Sequence, residues 1–223
     1  MVDLKCARAR MVDLHLARRG ITDPRVLDAF RSVPREAFVS EKLKAFAYDD
    51  VPLPLSEGQT ISQPYIVAYT VQALRLQGEE RVLEVGTGSG YAAAILSRLA
   101  KEVYTIERIA SLAGSARDRL ARLGFTNVFV SCGDGSLGWL EHAPYGAIVV
   151  SAGGPGVPPA LLAQLALEGR LVIPIGPDES SQDLVTITRE SEAKVREERL
   201  TGVRFVPLIG QQGWLDVSCL TGP

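Results

Sequence analysis

Residues 82–91, VLEVGTGSGY, constrain this chain more than any other stretch. Val82, Leu83 and Val85 form an apolar run of the kind that makes a buried strand. Gly86, Gly88 and Gly90 then fall within five positions, and Ala92, Ala93, Ala94, Ile95 and Leu96 read as the start of a helix. A strand, a glycine loop and a helix N-terminus form a device for holding a nucleotide. The helix end offers unsatisfied N–H groups, and glycine removes the Cβ atoms that would block a ligand.

From residue 81 the pattern alternates. Strands are expected at 81–85, 102–107, 126–131, 146–151 and 169–175, and helices at 91–100, 109–123 and 158–167. Aliphatic strands alternating with helices through short loops imply an α/β fold with a mostly parallel sheet covered on both faces. Segments 183–190 and 195–206 read as two more strands, an antiparallel C-terminal pair. The chain before residue 50 reads as helices: Val12, Leu14, Leu16 and Ile21 lie near a first one. Asp23-Pro24 starts a second, which carries Val26, Leu27 and Phe30 and ends at Pro34. Residues 51–62 form an irregular loop. Pro64 to Gln77 is a helix with Ile66, Val67, Thr70, Val71 and Leu74 on one face. The expected organisation is one domain over 1–223. A helical and loop region spans 1–77, a ligand-binding α/β core 78–210 and a tail 211–223.

With 46% hydrophobic and 22% charged residues the chain is an ordinary globular one. Its net charge of −2 gives no electrostatic reason to expect a nucleic-acid partner. Arg8/Arg10 and Arg18/Arg19 read as solvated helix faces, and His15 and His142 as surface residues. Cys6, Cys132 and Cys219 are far apart, odd in number and without metal-ligand spacing, which points to free thiols in a reducing compartment. No apolar run approaches the ~20 residues of a membrane span. Asp3, Lys5, Arg8 and Arg10 spoil a signal-peptide reading, so a cytoplasmic location is expected by default. Asparagine occurs once, at Asn127.

Two ligands compete for the glycine loop. A dinucleotide pattern GxGxxG/A is met at Gly88, Gly90 and Ala93, a weak match. The pattern E-x-G-x-G-x-G expected of an S-adenosylmethionine site is met in full by Glu84, Gly86, Gly88 and Gly90, with Thr87 and Ser89 between the glycines. Glu107 ends the second strand, 21 residues after Gly86 and just before Arg108. Its carboxylate can accept both ribose hydroxyls, under either reading. Gly133-Asp134-Gly135 follows the third strand, where the aspartate can accept from an adenine amino group. Taken singly, Glu107 could be a surface charge and Asp134 a turn initiator. The ordered set favours S-adenosylmethionine, with Glu84 matching the charge of its ammonium and sulfonium groups. Tyr91 is expected to pack in the core beside the ligand.

The methyl acceptor is addressed elsewhere. VPREAFV at 33–39, AYDD at 47–50 and GQTISQPY at 58–65 form a long specific pattern. Here the chain resembles the protein-L-isoaspartate O-methyltransferases. The resemblance continues through the glycine loop, VYTIERI, GDG, GAIVVSA and RFVPLIG, and covers almost the whole chain in order. It implies a three-layer Rossmann-like methyltransferase fold. It also implies methyl transfer from S-adenosyl-L-methionine, giving S-adenosyl-L-homocysteine, to the α-carboxylate of L-isoaspartyl residues in damaged proteins. The ester then closes spontaneously to a succinimide. Neither nucleic acid nor membrane is implied as a partner. The resemblance points to Ser62 as the residue meeting the acceptor carboxylate, with Thr60, Ile61 and Gln63 beside it. Val206, Pro207 and Leu208 would hold the substrate backbone, and Ile209 stands where some relatives carry threonine. Read locally, Ser62 before Gln63-Pro64 is also a natural helix N-cap, compatible with a carboxylate cradle of free N–H groups. A carboxylate with a pKa of ~4 is ionised at neutral pH and needs no general base to attack a sulfonium methyl, so no Ser/His/Asp set is required. A methyltransferase for a small molecule or RNA, a nicotinamide oxidoreductase and a catalytically silent adenosine-binding module remain the alternatives.

Overall fold

The computed structural model describes residues 3–178 and 180–215. Cys219 and the end of the expected tail, 216–223, lie outside the described residues.

The expected alternation is present. Strands β3 (Arg81–Val85), β4 (Glu102–Glu107), β5 (Val128–Cys132), β6 (Tyr145–Val150), β7 (Leu165–Ile175), β8 (Gln182–Arg189) and β9 (Val195–Val203) form one sheet in the order β5-β4-β3-β6-β7-β8-β9. β3 to β7 run parallel, and β8 and β9 add antiparallel at one edge. Both faces of the central strands β3, β4 and β6 are buried, which is why they read as continuous aliphatic runs, whereas the edge strand β5 is half-exposed. Val82, Val103, Val149 and Val172 point to one core. Leu83, Ile106, Ile148 and Leu171 point to the other. The first core is covered by α1 (Leu4–Met11), α2 (Pro24–Ser32), α3 (Pro64–Leu74), α4 (Tyr91–Leu96) and α5 (Ala110–Arg122). The second layer is thinner: α6 (Pro159–Gln164) and short 3-10 turns at Gly135–Leu137 and Leu140–His142.

Several boundaries differ from the sequence reading, each for a local reason. α2 stops at Ser32, because Val33 precedes Pro34 and is extended at φ −91° and ψ 119°. α4 is shorter than the expected 91–100. Ser97 Oγ donates to the Ala94 carbonyl at 2.8 Å. Asn127 Nδ2 takes the carbonyls of Ser97, Ala100 and Lys101 at 3.0, 3.3 and 3.3 Å. Those side-chain bonds satisfy carbonyls that a longer helix would have used itself. β7 begins at Leu165, where a helix was expected to continue to 167. The Gln164 side chain instead bonds Trp139 N and the Leu137 carbonyl, both at 2.8 Å. Residues 51–62 are not wholly irregular, since β1 (Leu53–Pro54) and β2 (Thr60–Ile61) pair antiparallel.

The N-terminal helices are fastened to the loop before α3 by groups expected to be solvated. Arg8 donates to the Tyr48 hydroxyl at 2.8 Å, to the Arg31 carbonyl at 3.1 Å and to Glu36 at 3.3 Å. Arg19 pairs with Asp50 and lies 3.7 Å above the Tyr65 ring centroid. The Gln72 side chain on α3 accepts from Thr22 N and Asp23 N. His142 is also no simple surface residue: it is half-buried and stacks on Tyr104 at 4.2 Å. His15 is half-buried too.

Candidate functional site

The sheet order places the site. β3 pairs with β4 on one side and β6 on the other, so the connections leave in opposite directions at its carboxyl end. Ligands of open α/β sheets bind at such a switch point. The register sets Val85 opposite both Ile106 and Val150. The loops after the three strands therefore meet above one spot. A cleft opens there, of about 1090 Å³ when the open solvent at its mouth is counted.

Most residues singled out from the sequence wall this cleft. Glu84, Gly86, Thr87, Gly88, Ser89, Tyr91, Glu107, Arg108 and Gly135 form its inner side, and Thr60, Ile61, Ser62, Val206, Pro207 and Leu208 its outer side. Gly86, Gly88 and Gly90 hold φ of 95°, 52° and 86°, the left-handed region that favours glycine. Gly90 lies behind the cleft wall, where a Cβ would sit 3.2 Å from Leu120 Cδ1, so it lets α4 pack on α5.

Glu84 is fully buried. Its Oε2 accepts from Thr105 Oγ1 at 2.6 Å, and Thr105 in turn meets Thr87 Oγ1 at 2.6 Å. Its Oε1 has no hydrogen-bond partner. Burial pushes the carboxyl up to about 8, with Glu107 adding to the rise and the Thr105 bond opposing it. A buried acid with an orphan oxygen on a cleft wall suits a cationic ligand, which would restore its charge. Glu107 is oriented by two backbone amides, Gly88 N to Oε2 at 2.9 Å and Ile109 N to Oε1 at 3.0 Å. Each oxygen keeps a lone pair for a ribose hydroxyl. The residues present therefore fit S-adenosylmethionine.

Four expected site residues lie off this cleft. Gly133 and Asp134 do not line it. Asp134 Oδ1 accepts from Ser136 N and Oγ at 2.9 and 2.6 Å, and Oδ2 accepts from Gln211 N at 2.7 Å. Its carboxylate braces the loop after Ile209. In the GDG motif, Gly135 is the residue facing the cleft, and a Cβ there would come 2.4 Å from Val85 Cγ1. The others are Gly90 and Gln63. The Gln63 side chain donates to the carbonyl and Oδ2 of Asp50, both at 2.8 Å.

Ser62 is not the N-cap of α3. Gln63 occupies that position and makes no side-chain cap bond. Asp50 replaces it from a distance, accepting from Tyr65 N at 3.0 Å. The cradle of free amides is correspondingly smaller, because Pro64 has no N–H and Tyr65 N is taken. Ser62 is half-buried and borders two spaces. One is the cleft already described. The other is an adjoining, more polar cleft lined by Pro52, Gln63, Ser181, Asp183 and Arg204. The outer wall is held to the sheet by backbone bonds: Gly153 N to the Val206 carbonyl at 2.8 Å, and Leu208 N to the Gly153 carbonyl at 2.7 Å. Trp214 N bonds the Leu208 carbonyl at 2.7 Å, so residues 211–214 of the expected tail take part.

Sequence reasoning missed Ser151, Phe205 and Ile66, which line both clefts. Ser151 follows β6 at the switch point, and its place at a strand end was the available signal. Asp50 was visible only as part of AYDD, and its bracing role was not, since its partners lie 13 to 31 residues away.

Residues 7–213 match the family model described as protein-L-isoaspartate(D-aspartate) O-methyltransferase (PCMT). Protein-L-isoaspartate O-methyltransferase 1 of Rhodopseudomonas palustris (strain HaA2) is 59% identical, over 95% of this chain and 86% of that protein. Protein-L-isoaspartate O-methyltransferase 2 of Pelobacter propionicus is 58% identical, over 93% of this chain and 92% of that protein. A solved protein-L-isoaspartate O-methyltransferase superposes with a TM-score of 0.84 at 30% identity, covering 92% of this chain and 67% of that one. A Plasmodium falciparum structure described as a β-aspartate methyltransferase, in complex with S-adenosyl-L-homocysteine, gives a TM-score of 0.77 at 26% identity. That match covers 89% of this chain and 96% of the other.

Proposed function

The chain belongs to the protein-L-isoaspartate(D-aspartate) O-methyltransferase family, and from that premise we propose how its own residues carry the reaction. The chain methylates the α-carboxylate of L-isoaspartyl residues in damaged proteins and peptides. One observation supports the placement above all: Ser62 borders both the cleft of the glycine loop and the polar cleft beside it. Thr60, Ile66, Ser151, Phe205 and Val206 share that seam with Ser62, and a peptide lying in the second cleft would meet the methyl donor of the first across it.

When bound, S-adenosylmethionine supplies an electrophilic methyl on a sulfonium. Glu84 would hold the cationic end of the donor, and Glu107, fixed by Gly88 N and Ile109 N, would accept from the ribose. Gly86 to Ser89 allow close approach of the backbone. Ser62 Oγ donates to one oxygen of the acceptor carboxylate and leaves the other free to attack. The segment Val206–Ile209, pinned to Gly153, holds the acceptor main chain through backbone groups. No proton must be removed before the attack, because the carboxylate is already ionised at neutral pH, with a pKa of ~4. What these residues do is align the reactants and exclude water.

No described helix is long and apolar enough to cross a membrane. The exposed free thiols of Cys6 and Cys132 support a reducing, cytoplasmic setting. The balanced charge supports a protein acceptor over a nucleic acid.

The test is a pair of peptides that differ only in carrying L-isoaspartate or aspartate at one position. After incubation with S-adenosylmethionine, the isoaspartyl peptide gains one methyl group by mass spectrometry and its twin gains none. Equal methylation of both, or of neither, overturns the assignment.

A further inference from the structure

Arg35 lies behind the acceptor end of the cleft, fully buried at 0% exposure. Its Nη2 donates to the Ser62 carbonyl at 2.9 Å. The guanidinium carbon lies 4.8 Å from the centroid of the Tyr91 ring, which lines the donor cleft. Nε and Nη1 have no hydrogen-bond partner, and neither has the Tyr91 hydroxyl. The acids on this side of the fold form their salt bridges elsewhere, although the charge of Asp50 still attracts Arg35. Asp50 holds Arg19, Gln63 and Tyr65 N. Glu36 holds Arg8 and Tyr48. Burial lowers the affinity of Arg35 for its proton, yet a guanidinium stays charged in a protein. A buried cation balanced only by an aromatic ring and by a carboxylate already paired with another arginine is left under-compensated. It becomes favourable when an anion arrives nearby.

We propose that Arg35 is a positioning residue that selects for charge: its buried guanidinium, without a salt bridge among the described residues and bonded to the Ser62 carbonyl, draws an acceptor carboxylate to the Ser62 hydroxyl and against a neutral analogue. This rests on the acceptor reading above. The same side chain spans the two halves of the site, with Ser62 on one side and Tyr91 on the other. Its position therefore also sets their separation.

Two peptides test this, one isoaspartyl and one identical except that the isoaspartyl α-carboxyl is an amide. Binding of each is measured calorimetrically with S-adenosyl-L-homocysteine present. The native protein prefers the carboxylate by about tenfold or more, as expected of a buried charge partner. Arg35→Met abolishes the preference. Arg35→Gln, which can still donate to the Ser62 carbonyl, abolishes it too and guards against a misfolded methionine variant. Arg35→Lys keeps part of it. A merely structural role would weaken both peptides together and leave their ratio unchanged, which overturns the proposal. So does a native protein with no preference. If the native protein methylates no isoaspartyl peptide, the functional reading itself fails. Methylation by a native protein whose Arg35→Gln form keeps the full preference overturns this inference alone.

Discussion

At the scale of single residues, the site sets a hydroxyl, Ser62, and a buried acid, Glu84, along one cleft. Ser62 makes no cap bond, so Ser62→Ala should leave stability nearly unchanged, within about 0.5 kcal/mol. It should lower kcat/KM for an isoaspartyl peptide by roughly 10- to 100-fold. Melting curves and steady-state assays on the same preparation check both halves. Glu84 makes a pH prediction. Its folded value of about 8 lies above the ordinary 4.5 of a glutamate, so the cofactor-free folded state binds the extra proton between them. The contribution of Glu84 to stability therefore falls as pH rises from about 4.5 to about 8, and is flat outside that window. Urea midpoints across this range should show the slope in the native protein and a shallower one in Glu84→Gln. A cationic ligand favours the ionised form, so donor affinity should rise with pH up to about 8 with release of a proton. Calorimetry in buffers of different ionisation enthalpy detects that proton. Glu84 and Glu107 were legible in the sequence because a strand end beside a glycine loop is a local pattern. Arg35 was visible only as part of a motif, since its significance depends on Ser62, 27 positions away.

At the scale of elements, the loops matter as much as the strands and helices they join. The glycine loop and the parallel strands followed from periodicity and glycine spacing. The cap of α3 did not, because Asp50 reaches Tyr65 across 15 residues of loop. Nor did the bonds by which Asp134 braces Gln211 and Ser136. Asp134→Ala should therefore release the segment that carries Val206–Ile209. The expected result is a higher KM for peptide with donor affinity largely kept. A loss confined to donor affinity would return Asp134 to the adenine. Gly135→Ala should be costly, by about 1–3 kcal/mol, because the new methyl meets Val85 at the end of β3. A denaturant titration measures it.

At the scale of the whole molecule, the N-terminal 50 residues and the last described segment close over a sheet whose switch point was readable from strand order alone. What strand order does not reveal is how the lid is tied down. Arg8, Arg19 and Gln72 act over separations of 23 to 52 residues, and isolated arginines in a helix look the same whether solvated or bonded. Because both walls of the cleft contribute to one ligand space, S-adenosyl-L-homocysteine should protect more than the glycine loop. Amide exchange should slow in 59–71 and 205–209 as well as 84–91, and stability should rise by about 2.7 kcal/mol at a hundredfold excess over Kd. The clamp on Asn127 has its own consequence. Isoaspartate arises when an asparagine side chain is attacked by the next backbone nitrogen, which requires the amide to swing free. This chain carries a single asparagine, and three carbonyls grip its amide nitrogen. The repairer is thereby spared, at its only asparagine, the ageing it reverses in other proteins.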